Sequence, residues 1–158
     1  MNRATRLVRD LLLASTCTLA ILWASPGFAS NASDLQVMVK KLVSDINKGN
    51  FKSVAAACAP RASIVVGFPP YAWQTCADWM EGYEANNKAI QATLGILSLG
   101  KPTYAEVRGN HAYLVYPVTF TDTQNGKAAS YRGFMAVTLQ KTTSGWVFTG
   151  IASAWGTN

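Results

Sequence analysis

The chain carries few side chains able to do acid–base, nucleophilic or metal chemistry. It has one histidine, His111, and three cysteines, with eight Asp and Glu in all. Asp78 is a candidate general base, flanked by the rings of Trp73 and Trp79. An acid there also suits the positive end of a helix starting near Thr75. His111 would serve as acid or base if it turned inward, but it follows Gly109-Asn110, a turn at which a solvent-facing imidazole is expected. Glu81 and Glu84 read as a solvated helix face. Glu106 and Asp122 fall near strand ends, where solvated carboxylates are expected. Tyr113, Tyr116, Tyr131 and Trp155 would stack on a flat ligand or simply pack a core, with strand alternation putting Tyr113 and Tyr116 on opposite faces. Arg132, in the middle of a strand, either reaches an outer polar face or holds an anion.

Several chemistries are excluded by pattern. No Gly-x-Gly-x-x-Gly, P-loop, Gly-x-Ser-x-Gly or His-Glu-x-x-His occurs, so a nucleotide cofactor, a hydrolase triad and a helix-borne zinc site are not expected. One histidine and no Cys-x-x-Cys argue against metal and dithiol redox centres. Neither a cofactor nor a metal is expected.

The first 29 residues read as an export signal. Arg3, Arg6 and Arg9 precede the apolar run from Leu11 to Trp23, and Pro26-Gly27-Phe28-Ala29 supplies a break and a small residue for cleavage. The run holds Ser15 and Thr16 and is shorter than the ~20 apolar residues that span a bilayer, so no stable membrane anchor is expected after cleavage. Cys17 lies within the run, which argues against a lipoprotein. Cleavage after Ala29 predicts a single domain over residues 30–158 in a secreted or periplasmic setting. Losing Arg3, Arg6, Arg9 and Asp10 lowers the net charge from +6 to +4, and the remaining cations are scattered, so nucleic acid is not an expected partner. Cys58 and Cys76 are then the two cysteines left in an oxidising space and are expected to pair, two buried free thiols being the alternative.

The mature sequence divides into helices and then strands. Leu35, Met38, Val39, Leu42, Val43 and Ile46 make one helical stripe behind a Ser33/Gln36 capping pattern, ending at Asn47-Lys48-Gly49. Asn50 begins a shorter helix to about Cys58, stopped by Pro60, and Ala62 to Phe68 reads as a strand. Phe68-Pro69-Pro70-Tyr71-Ala72-Trp73 is a stiff aromatic loop. A helix follows from Thr75 to about Ile90. Strands are expected over 93–99, 103–108, 111–121, 129–141 and 146–155, with Gly109-Asn110, Asn125-Gly126 and Ser144-Gly145 as hairpin turns. The layout is α+β, with helices packed on a bent antiparallel sheet.

This order of elements resembles the nuclear transport factor 2-like (NTF2-like) superfamily, and within it the SnoaL-like group. The carrying segments are Asn47-Lys48-Gly49-Asn50-Phe51, Ala59-Pro60-Arg61-Ala62 and Lys141-Thr142-Thr143-Ser144-Gly145-Trp146, and the match covers residues 33–156. The resemblance implies a cone whose curved sheet wraps a long helix around a pocket, often with pairing of two copies through the outer sheet face. Asp78 would open the helix lining that pocket. Tyr71 and Trp73, held by Pro69-Pro70, are expected at its rim, with Tyr83, Asn86 and Trp155 on its wall. The function expected is binding of a small, mainly apolar molecule or a partner protein. The alternative is an isomerase or dehydratase using Asp78 or His111 as base.

Overall fold

The computed structural model describes residues 32–156, so the export signal expected over residues 1–29 lies outside the described residues. Helix α1 (Ala32–Asn47) buries Leu35, Val39, Leu42, Val43 and Ile46, the stripe its periodicity predicts. Ser33 lies inside the helix. At the far end Gly49 takes φ +70°, and its N–H donates to Ile46 O at 3.0 Å, closing off the last turn. Asn47 then ties the helix to the sheet: its Nδ2 donates to Leu97 O at 2.9 Å and its Oδ1 accepts from Leu97 N at 2.8 Å.

Helix α2 (Phe51–Ala56) is shorter than its sequence suggests, and Asn50 makes no side-chain capping bond to it. Strand β1 (Cys58–Val65) takes over because Phe148 N donates to Ala57 O at 3.0 Å, and Cys58 pairs with Phe148. Sheet pairing over a long sequence distance outcompetes the local helix signal. Pro60, which has no N–H to give, falls where the ladder between Cys58 and Ser63 is irregular. A two-residue strand β2 (Ala72–Trp73), not foreseen from the sequence, pairs with β1. Helix α3 (Cys76–Ala89) begins where Thr75 Oγ1 accepts from Asp78 N at 3.0 Å.

The meander follows as β3 (Ile96–Leu99), β4 (Tyr104–Arg108), β5 (His111–Gln124), β6 (Lys127–Thr142) and β7 (Gly145–Gly156). Asn125 and Gly126, at φ +49° and +76°, form the left-handed two-residue turn their sequence predicts. The sheet order is β2-β1-β7-β6-β5-β3, with β4 also on β5. β3 pairs with the second half of β5 and β4 with the first half, so both occupy one edge. The expectation of an antiparallel sheet holds except at one pair: β1 runs parallel to β7, because no hairpin joins them. The curved sheet turns Leu114, Tyr116, Val118, Met135, Val137, Leu139 and Ile151 toward the helices, where they form the core with the α1 stripe.

Candidate functional site

The core does not fill the whole space between α3 and the sheet. Beyond Tyr116 and Val118 on β5 it gives way to a cavity of about 480 Å³. One wall is α3, through Trp79, Met80, Tyr83 and Asn86. The other is the inward face of β5, β6 and β7, where Ile151, Ser153 and Trp155 share one side of a strand. Phe68 and Pro69 close the side nearest β1.

Two glycines let aromatic walls sit directly on backbone. A Cβ at Gly95 would lie 2.1 Å from the Phe120 ring, and one at Gly67 would lie 2.8 Å from Trp155 Cδ1. Phe120 in turn lies 5.9 Å from Trp155 and 6.5 Å from Tyr131, centroid to centroid. Tyr83 OH accepts from Gly95 N at 3.1 Å, which joins α3 to the segment beneath Phe120.

One corner is polar. Gln124 Nε2 donates to Asp122 Oδ2 at 2.9 Å and to Tyr131 OH at 3.2 Å. Asp122 Oδ1 is buried with no hydrogen-bond partner among the described residues, as is the indole nitrogen Nε1 of Trp79, and both residues line the cavity. Both atoms are closed off from water-sized space, and each carries the cost of a buried polar group without a partner. Tyr116 OH is a third such atom; burial pushes its pKa up, and the residue does not line the cavity.

The structure brings together some of the residues expected at the site and separates others. Tyr83, Asn86 and Trp155 line the cavity. Tyr71 does not: its φ is +70°, and the residue is 58% exposed. Trp73 lies one layer behind the wall, buried against Phe68 at 4.8 Å between centroids and close over Gly82. Phe68 and Pro69 occupy the rim position expected of Tyr71 and Trp73. Asp78 is exposed on the first turn of α3, and His111 is exposed where β5 begins, so neither candidate base reaches the cavity. Glu106 faces out on β4, its carboxyl held below its ordinary value by Tyr104 OH and by Arg108. Arg132 is also exposed.

Asp122 is the residue that sequence reading misplaced. The signal was available: Ala112, Leu114, Tyr116 and Val118 are buried at alternate positions of β5, and Asp122 continues that alternation inward. Among the described residues no cluster of three or more His, Cys, Asp or Glu is arranged to hold a metal. Cys58 and Cys76 form a disulfide with Cα atoms 6.2 Å apart, tying the start of β1 to the start of α3.

Solved structures share this arrangement. An NTF2-like superfamily protein from Salmonella enterica serovar Typhimurium superposes with a TM-score of 0.67 over 80% of this chain and 92% of its own, at 16% identity. The fold is NTF2-like. The association domain of CaMKII from C. elegans has a TM-score of 0.62 over 77% of this chain and 93% of its own, at 14% identity. An NTF2-like-family protein from Streptomyces avermitilis, proposed to be a dehydratase, has a TM-score of 0.65 over 80% and 96%, at 12% identity. No family model and no curated protein sequence matches this chain. At these identities the likeness is one of fold, and function must be argued from the cavity.

Proposed function

We propose that the NTF2-like domain is an exported binding protein that takes a small, mainly apolar molecule into the cavity between α3 and the sheet. The observation that carries this reading is a cavity of about 480 Å³ whose lining is mainly apolar and aromatic with a few polar side chains, Asn86, Asp122, Gln124 and Ser153 among them. Export is supported by the charged and apolar character of residues 1–29 and by the Cys58–Cys76 disulfide, which suits an oxidising compartment. No helix among the described residues is long and apolar enough to cross a membrane. The test is binding of the neutral dye N-phenyl-1-naphthylamine, together with native mass spectrometry of protein taken from the exported fraction. Wild type is expected to bind the dye or retain a small molecule, and Ser153→Phe, which fills the cavity from its wall, to do neither while staying folded. Equal dye binding by both proteins would place the ligand elsewhere and overturn the reading.

A second reading is favoured by Asp122 itself. A carboxylate that lines an apolar cavity, with one oxygen accepting from Gln124, suits a general base, the role of an isomerase or dehydratase. This reading moves the base from Asp78 or His111 to Asp122. Loss of turnover on a hydroxy or keto substrate in Asp122→Asn, with no loss in Asp78→Asn, is its signature.

A second copy of the chain is the proposed partner, seated on the outer face of the sheet. Support comes from the apolar character of that face and from the CaMKII association domain, whose fold is similar.

A further inference from the structure

The charge of the cavity lining narrows the ligand further, on the premise that the cavity is the ligand site. Among the described residues that line it, Asp122 is the sole charged side chain. Arg132, beside Tyr131 on β6, alternates to the outer face, and Lys88 on α3 is exposed to solvent. Asp122 Oδ2 has a neutral donor in Gln124, and Oδ1 has none. Among the described residues no cation pairs with this carboxylate, which leaves it as the one full charge on a mainly apolar lining.

Around that carboxylate stand aromatic rings. On the sheet side Phe120 stands against both Tyr131 and Trp155, and Phe68 and Tyr83 lie 5.9 Å apart on the other. Ring faces carry partial negative charge and attract an organic cation, above all one already stripped of water. An anionic ligand would meet a like charge in the same space. A neutral hydroxyl would hydrogen-bond a carboxylate but leave its charge uncompensated. We propose that this cavity selects a protonated amine carried on a compact apolar body, its charge paired with the Asp122 carboxylate and facing the aromatic rings of the lining.

The net charge of the chain is +6, so attraction from a distance does not favour a cation, and the selectivity is local. It is therefore measured at about 0.15 M salt, where the Debye length of roughly 8 Å removes most of the long-range field. The probes are three adamantane derivatives of one shape: 1-adamantylamine, 1-adamantanol and adamantane-1-carboxylate, titrated calorimetrically into the wild-type protein. The amine is expected to bind roughly 10-fold tighter than the alcohol, the difference between a charged and a neutral hydrogen bond, and the carboxylate weakest of all. In Asp122→Asn, which keeps shape, the preference for the amine is expected to disappear while the alcohol still binds. Equal binding of amine and alcohol to wild type would overturn the cation assignment and leave the cavity standing as an apolar site. Unchanged preference in Asp122→Asn would also overturn it. Failure of all three probes to bind would count against the cavity as a ligand site altogether. The wild-type series decides the question even if the variant does not fold.

Discussion

Trp73 shows how one residue changes meaning once its neighbours are known. In the sequence it belongs to a proline-stiffened aromatic loop, which suggests a rim residue displayed to ligand. In the structure it is buried behind Phe68, over Gly82, where a Cβ would lie 2.9 Å from its indole nitrogen. Its removal therefore opens a hole in the core. Trp73→Ala is expected to destabilise the fold by about 3–5 kcal/mol, read from urea or thermal unfolding. A variant as stable as wild type with reduced ligand binding would restore the rim assignment. Asp122 shows the opposite shift. Proximity to a strand end suggested solvent, but the buried alternation of β5 runs through Val118 and carries the carboxylate into the cavity. Strand parity was legible in the residues; the length of the strand, which extends to Gln124, was not, because pairing with β6 over its whole length sets that limit.

The elements were legible where the signal is local. The α1 stripe, the Thr75 cap and the Asn125-Gly126 turn all read directly, since each depends on a few adjacent residues. Pairing of β1 with β7 did not, because a parallel contact between distant segments leaves no turn to announce it. The junction between α1 and α2 is a local device of another kind. Asp45 Oδ2 accepts from Lys41 Nζ at 2.5 Å and from Ser53 Oγ at 2.6 Å, clamping the two helices across their connection. These bonds hold the carboxyl of Asp45 below its ordinary value of 3.8. The folded form thus binds the proton less readily than the unfolded chain. The stabilisation is complete above the unfolded value and is lost as pH falls through the lower folded value. Lys41 is largely exposed, so the contribution is small, on the order of 0.5–1 kcal/mol. Asp45→Asn is expected to lower the melting temperature slightly near neutral pH, and the deficit to shrink as the pH falls below the ordinary carboxylate value. An undiminished deficit at low pH would show that the clamp does not depend on charge.

At the scale of the whole molecule, one face of the sheet is spent on core and cavity and the other is left open. The register of the strands aligns Val65, Ala152, Ala136, Val115 and Tyr104 in a row across β1, β7, β6, β5 and β4. Ala154, Phe134 and Pro117 make a parallel row beside it, with Phe134 55% exposed. No charged side chain interrupts either row, while Arg132 and Glu106 stand at their margins. A contiguous exposed apolar surface of this kind marks an interaction site. Two copies meeting face to face would bury the same rows on each, as a twofold interface requires. Phe134 is the position to probe: its side chain contributes little to the monomer core, so changing it tests association without testing folding. Wild-type protein is expected to sediment as a dimer at micromolar concentration, and Phe134→Glu as a folded monomer, because the substitution sets a charge at the centre of the buried patch on both copies. A wild-type monomer at high concentration, or a variant that remains dimeric, would assign the open face to a different partner or the contact to a different surface. The cavity lies on the opposite side of the sheet, so the monomeric variant should bind the neutral dye as wild type does, separating assembly from ligand binding within one molecule.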